Sequence, residues 1–110
     1  MPYPRMVRIK QKFESIPGID DINKEINNQL SNPEIMSNLN TGDTVAITVG
    51  SRGIANMDRI VGAIVKELKA YGVKPFIFPA MGSHGNANAE GQREILKHYK
   101  ITMIQIHLLI

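Results

Sequence analysis

Two glycine-rich tetrapeptides carry the side chains of this chain that could do chemistry. Gly50-Ser51-Arg52-Gly53 and Gly82-Ser83-His84-Gly85 each follow an apolar run, and a helical pattern lies between them. Arginine offers a permanently charged planar fork that pairs with carboxylate or phosphate. Histidine titrates near neutral pH and can move a proton to or from a bound substrate. If both turns reach one crevice, Arg52 and His84 would bind an anion and exchange a proton with it.

The other residues of the two turns suit an anion site. Gly53 and Gly85 allow positive φ and let backbone amides approach an anion closely. The two serines are expected to hydrogen-bond within their turns, because neither lies in the Gly-x-Ser-x-Gly elbow of serine hydrolases; a nucleophilic serine is the lesser alternative. A single Gly-Ser turn is more often only a turn, and the repetition at two strand ends is what favours function. We predict a catalytic His84 and an anion site made by Arg52, Ser51, Gly53, Ser83 and Gly85.

The stretch around the two turns has the pattern of a βαβ unit. The continuous β-branched run from Thr44 to Val49 predicts a strand covered on both faces. A second strand is expected at Phe76-Ile77-Phe78, between Pro75 and Pro79. The helix between them ends at Gly72, and its apolar face consists of Ile60, Val61, Ile64, Val65 and Leu68. A right-handed crossover would bring both turns to one edge of a parallel sheet.

The upstream part predicts a mostly helical lead-in over residues 1–40. Alternation over residues 6–12 suits a short edge strand or an extended arm. Asp20 or Asp21 can cap a helix with an apolar stripe at Ile22, Ile26 and Leu30, and a shorter helical segment starts after Asn32-Pro33. These elements are expected to serve packing.

The downstream part completes a βαβαβ unit over residues 43–110. A helix from about Ala89 to Tyr99 is expected to turn Ile95 and Leu96 inward, and residues 101–110 predict a last strand. The chain is therefore predicted to be a single α/β domain with a parallel, Rossmann-like, three-layer βαβ architecture. The apolar run at its end stops without a turn, so we expect the domain to be truncated and the chain to be a fragment of a longer protein.

Composition narrows the classes of function. The 110 residues are 43% hydrophobic and 21% charged, which is typical of a globular domain, and the net charge of +3 suits an anionic ligand. Basic residues are scattered singly, so a nucleic-acid partner is not expected. The absence of cysteine excludes disulfides and thiolate chemistry. No apolar stretch approaches eighteen residues and the N-terminus lacks a signal-peptide core, so we expect a cytoplasmic protein without membrane contact.

The remaining titratable residues are better explained structurally. His98 and His107 are isolated, and neither forms a metal-binding spacing with His84, so no metal site is predicted from the residues. Asp58 and Glu90 fall at helix starts, where a carboxylate complements the macrodipole. Neither a GxGxxG fingerprint nor a GxxxxGK[ST] loop is present.

Residues 43–96 resemble the N-terminal domain of the nickel-dependent lactate racemase family, in a lactate-racemase-like branch found in many bacterial genomes. In that family the first strand ends in an arginine-bearing turn, matched here by Arg52. The second strand ends in a Gly-Thr-His type turn, matched by Gly82-Ser83-His84. The resemblance covers about half of the chain, and the upstream part is similar to the lead-in of the same branch.

The resemblance implies an isomerase that racemises or epimerises a small 2-hydroxy acid. His84 would correspond to one of two histidines that abstract and return a proton or hydride equivalent, and Arg52 would hold substrate or cofactor anions. The implied cofactor is a nickel pincer nucleotide tethered to a lysine and ligated by a further histidine. The second catalytic histidine, the tether and the metal ligand lie in family sequence beyond Ile110, so a C-terminal domain or partner chain is expected. The racemases proper carry an acidic residue where this chain has Val49, which puts lactate itself in doubt as the substrate.

Two hypotheses follow. The first is the N-terminal portion of a nickel-pincer racemase or epimerase, inactive as this fragment. The second is a non-catalytic anion- or nucleotide-binding α/β module, for which the glycine-rich turns and Arg52 would suffice.

Overall fold

The computed structural model describes residues 2–101 as a mixed α/β fold around a parallel sheet. Its helices are α1 (Ile22–Leu30), α2 (Pro33–Met36), α3 (Met57–Ala70) and α4 (Ala89–His98). The strands are β1 (Thr44–Val49) and β2 (Lys74–Pro79), and a short 3-10 turn, Gly85–Ala87, precedes α4. The predicted α/β class is confirmed, whereas the last strand predicted for residues 101–110 lies almost wholly outside the described residues.

The two strands pair in parallel, and their register decides where the glycine-rich turns lie. The pairing runs from Thr44 opposite Lys74 to Val49 opposite Pro79. The amide of Ala80 extends it by donating to the carbonyl oxygen of Val49 at 2.8 Å. Because α3 carries the chain back between two parallel strands of equal length, both strands end at the same edge of the sheet. The predicted juxtaposition of the two turns is therefore correct.

Helix α3 forms and ends for reasons that are visible in the sequence. Its apolar stripe packs Met57, Val61 and Val65 into the core, as the period of 3.6 residues requires. It ends at Gly72, whose φ of +91° is readily adopted by glycine. There the amide of Val73 donates to the carbonyl oxygen of Leu68 at 3.2 Å, which satisfies a carbonyl that the helix leaves free.

The core lies on one face of the sheet, between the strands and the helices. Val49 and Ile77 share a cluster with the α3 stripe, with Leu96 of α4 and with Ile101. Ile77 and Leu96 are fully buried. This cluster holds both strand ends and α4 in one packed unit, so the edge that carries the turns is a rigid part of the fold.

The prediction that β1 is covered on both faces is wrong. Thr44, Ala46 and Thr48 are exposed, although the β-branched run was expected to be covered on both faces. The alternate residues Val45 and Ile47 are half-buried on the side of the core. A run of β-branched and small residues suits a half-exposed strand as well as a buried one, so composition alone cannot separate the two cases.

The helical lead-in is shorter than the sequence predicts. Helices occupy only Ile22–Leu30 and Pro33–Met36, and residues 2–19 form neither helix nor strand and are exposed. The edge strand that was one alternative for residues 6–12 is not found there. The cap at Asp21 is confirmed, since its carboxylate accepts from the amide of Lys24 at 3.0 Å. Helix α1 then packs on α3, where Asn27 Nδ2 donates to Glu67 Oε2 at 2.9 Å.

The packing of α1 on α3 also explains why the buried face of α3 differs from the predicted one. Ala63 is buried, whereas Ile60 and Ile64 are only half-buried. Ala63 lies one turn before Glu67, the residue that bonds α1, so it is on the side of α3 that faces that helix.

Within residues 2–101, no helix is long and apolar enough to cross a membrane.

Candidate functional site

The first turn leaves β1 and presents Ser51 and Arg52 at the edge of the sheet. Ser51 is half-buried, and Arg52 and Gly53 are exposed. Gly53 has a φ of +91°, and a Cβ added there would meet nothing within 4 Å. The glycine is therefore required by backbone conformation alone, which reverses the chain towards α3.

The second turn leaves β2 and is packed against the start of α4. Gly85 has a φ of +64°, and a Cβ added to it would lie 2.5 Å from the carbonyl carbon of Gly91. A Cβ added to Gly91 would lie 2.0 Å from the carbonyl oxygen of Gly85. The two backbones touch, so both positions require glycine for space, and Gly85 also requires it for conformation.

Side chains from the two turns meet at His84. Ser51 Oγ hydrogen-bonds Nδ1 of the imidazole, and Arg52 Nη2 lies 2.6 Å from Nε2. His84 is half-buried, so the ring lies between the two turns while the guanidinium remains accessible to a ligand. The structure thus brings together three of the predicted site residues, Ser51, Arg52 and His84, across 32 and 33 positions of sequence.

The partners of His84 fix which ring nitrogen carries the proton in this arrangement. A guanidinium has only donors, so Nε2 must accept from Arg52 with its lone pair. The neutral ring then carries its hydrogen on Nδ1 and donates it to Ser51 Oγ. An anion that engages Arg52 would therefore also release the Nε2 lone pair, leaving an accessible proton acceptor next to the anion.

The same geometry argues against a serine nucleophile. A serine–histidine pair works when the ring nitrogen accepts the serine proton and the other nitrogen donates to an orienting group. Here Nδ1 donates to Ser51, and the group at Nε2 is itself a donor. The hydroxyl of Ser51 orients the imidazole, which also differs from the bond within its own turn that the sequence predicts.

The remaining predicted anion-binding residues lie next to His84 or Arg52 in the two turns. Ser83 is exposed, and its carbonyl oxygen accepts from the amide of Ala87 at 3.2 Å. Gly85 is half-buried against α4, so its role in holding the backbone of the turn is plain. Gly53 is exposed beside Arg52.

Gln92 of α4 and Tyr99, the C-cap residue of that helix, contact the site and were not found from the sequence. Gln92 Nε2 donates to the carbonyl oxygens of Gly82 at 3.1 Å and His84 at 3.3 Å. The hydroxyl of Tyr99 donates to the carbonyl oxygen of Ser51. Their targets are backbone atoms, which any residue possesses, so no pattern of residue types could reveal these contacts.

His98, Asp58 and Glu90 lie where the sequence predicts. His98 is exposed at the end of α4, where its ring packs edge-on against Tyr99. Asp58 and Glu90 lie in the first turns of α3 and α4. His107 lies outside the described residues. Among residues 2–101, no group of three His, Cys, Asp or Glu residues lies close enough together to hold a metal ion.

The comparisons with known proteins give no relative of this chain. Comparison with protein-family models, with curated proteins and with solved structures finds no significant match to this chain.

Proposed function

We propose that this chain is the N-terminal portion of a racemase or epimerase of the nickel-pincer type, acting on a small 2-hydroxy acid. The observation that carries the proposal is the contact of Arg52 with His84 across the two glycine-rich turns. A carboxylate and a neighbouring hydroxyl are the groups that such a pair recognises, since the first pairs with a guanidinium and the second gives a proton to an imidazole.

The proposed binding step begins at Arg52. The substrate carboxylate pairs with the exposed guanidinium, which turns away from Nε2 of His84. The 2-hydroxyl then lies against Nε2, which accepts its proton, and Ser51 holds the ring by its hydrogen bond at Nδ1. The imidazolium that forms is the acid that returns the proton.

The nickel pincer nucleotide is part of this proposal only through the resemblance of Arg52 and Gly82-Ser83-His84 to the family motifs. It would supply the acceptor and donor of the hydride equivalent. Among residues 2–101, no group of three His, Cys, Asp or Glu residues could hold a metal ion, and no step through the cofactor is assigned to them. The tether, the metal ligand and the second histidine are proposed to come from a C-terminal domain or partner chain.

The localisation and the architecture of the complete domain are also part of the proposal. We propose a cytoplasmic protein whose complete domain has the Rossmann-like, three-layer architecture, with further chain covering the face of β1 at Ala46 and Thr48. The exposure of that face in residues 2–101 supports the idea that more of the fold is needed to cover it.

A binding experiment on the 110-residue chain tests the site. Titration with both enantiomers of lactate, 2-hydroxybutyrate and malate, followed by calorimetry, is expected to show binding of at least one 2-hydroxy acid that Arg52→Ala weakens at least about tenfold, because charge-assisted hydrogen bonds are lost. Arg8→Ala, in the exposed arm, is the matched control and should bind as the unaltered chain does. Binding of none of these acids, or equal binding by Arg52→Ala, would contradict the proposal.

Catalysis is tested separately. When the nickel pincer nucleotide and the C-terminal region are supplied, His84→Ala is expected to abolish turnover while the fold persists. Retained turnover in that variant would exclude His84 as the proton acceptor.

The second candidate is a non-catalytic module that binds phosphate or a nucleotide. It is favoured by the glycine-rich backbone of both turns, with positive φ at Gly53, Gly82 and Gly85. Inorganic phosphate and ADP in the same titration decide between the two. Arg52-dependent binding of either phosphate or ADP, with no response to any of the 2-hydroxy acids, would favour the module.

A further inference from the structure

Helix α4 presents one stripe of side chains to the core and the turns. Gln92, Leu96 and Tyr99, the last at the C-cap, are spaced by four and three residues, so they lie on the same side of the helix. Leu96, the middle member, is fully buried. Its burial fixes the rotation of the helix about its axis and thereby turns Gln92 and Tyr99 to the same side.

The two outer members of this stripe each hold a different turn. Gln92 donates to the carbonyl oxygen of His84, and Tyr99 donates to that of Ser51. Ser51 and His84 are the two residues whose side chains pair with each other. One helix therefore holds the main chain of both members of that pair.

Both ends of α4 are themselves fixed. At its start, the backbone of Gly91 touches that of Gly85, and the side chain of Asn88 accepts from the amide of Gly91 at 2.7 Å. At its end, the amide of Ile101 donates to the carbonyl oxygen of Leu96 at 3.0 Å, and both residues are buried. Gln92 and Tyr99 are seven positions apart, which is about 10 Å along a helix.

We propose that Gln92 and Tyr99 are positioning residues, which set the separation of the two turns so that Ser51 and Arg52 meet the ring of His84. The assignment deepens the proposed function and rests on it for its purpose, because a fixed ring orientation matters only if His84 moves a proton. The positioning by Gln92 and Tyr99 is tested by the tautomer of the His84 ring, without any ligand.

The first test compares two tyrosines. Tyr99→Phe removes the hydroxyl that bonds Ser51, and Tyr71→Phe removes a hydroxyl that donates to the carbonyl oxygen of Met36 at 3.3 Å, away from the turns. The imidazole nitrogens of His84, assigned by His84→Gln, are observed by ¹⁵N NMR. The unaltered chain is expected to favour the Nδ1–H tautomer. Tyr99→Phe should lower the ratio of the Nδ1–H to the Nε2–H tautomer about threefold to tenfold, in line with the loss of one hydrogen bond. Tyr71→Phe should leave that ratio unchanged.

A second pair of variants covers the case in which Tyr99→Phe does not fold. Gln92→Met removes the amide that bonds Gly82 and His84 while keeping the length of the side chain. Gln29→Met is the control, because that amide bonds Glu25 at 2.8 Å on the surface of α1. A tautomer shift in Gln92→Met alone supports the proposal. An unaltered chain without a tautomer preference, or shifts of equal size in variants and controls, would overturn it.

Ligand binding separates this inference from the proposed function. If the unaltered chain binds one of the 2-hydroxy acids, Tyr99→Phe should weaken that binding about threefold to tenfold, and Tyr71→Phe should not. If none of them binds, the proposed function fails, whereas the tautomer measurement still decides whether Gln92 and Tyr99 position the ring.

Discussion

The first turn, Gly50–Gly53, and the second, Gly82–Gly85, differ in sequence only at arginine and histidine, and the fold constrains them differently. Gly53 has open space around it, and the first turn is held from outside by the hydroxyl of Tyr99. Gly85 is pressed against Gly91, and carbonyl oxygens of the second turn accept from Gln92 and from the amides of Ala87 and Asn88. The ring of His84 is thus carried by a tightly packed turn, and Arg52 by a more accessible one.

This difference suits the separate tasks that we propose for the two residues. A proton acceptor must be held within a few tenths of an ångström of its working position. An anion-binding arginine has to move towards its ligand and away from Nε2 of His84. Near-identical tetrapeptides can therefore serve unlike purposes, because the neighbours of each turn set its freedom to move.

The largest expected effect comes from Gly85→Ala. The new Cβ combines a positive φ with backbone contact at 2.5 Å, so the free energy of unfolding should fall by about 2–5 kcal/mol, as measured by urea denaturation. Gly91→Ala should cost about 1–3 kcal/mol, since only the close contact is unfavourable there. Gly62→Ala is the control. It lies in α3 with nothing within 4 Å, and there alanine should stabilise by up to about 1 kcal/mol.

A smaller effect is expected from the equivalent change in the first turn, Gly53→Ala. Its φ of +91° is unfavourable for alanine, but the space around it is open, so the loss should be about 1–2 kcal/mol. The same urea denaturation measures it. A loss as large as that of Gly85→Ala would show that the two turns are equally constrained, which would remove the contrast drawn above.

The smallest effect is expected from Ser51→Ala, which removes the partner of Nδ1 of His84. The free energy of unfolding should fall by about 0.5–1.5 kcal/mol, the value of one hydrogen bond. The informative result is the ¹⁵N NMR spectrum of the His84 ring, in which the preference for the Nδ1–H tautomer should weaken but persist, because Arg52 still donates to Nε2. Ser83→Ala, an exposed serine of the second turn, should leave that spectrum unchanged. If Ser83→Ala shifts it as much, Ser51 does not orient the ring.

Much of the fold follows from local sequence signals. Asp21 caps α1, Gly72 ends α3, and the bounds of β1 match the prediction from its β-branched run. The exposure of Thr48 and the exposure of residues 2–19 without helix or strand were not decided by such signals. Both depend on which other surfaces are present to cover an apolar segment, and hydrophobic patterns do not contain that information.

The candidate site divides along the same line. The residue types and strand-end positions of Arg52 and His84 were sufficient to predict that they share one edge of the sheet, because parallel strands joined by a helix end together. Tertiary structure alone decided that Ser51 bonds the ring, that Gly85 touches Gly91, and that Gln92 and Tyr99 hold the two turns. These contacts join backbone atoms or residues far apart in the chain, and their geometry depends on how α4 packs, which no local pattern of side chains specifies.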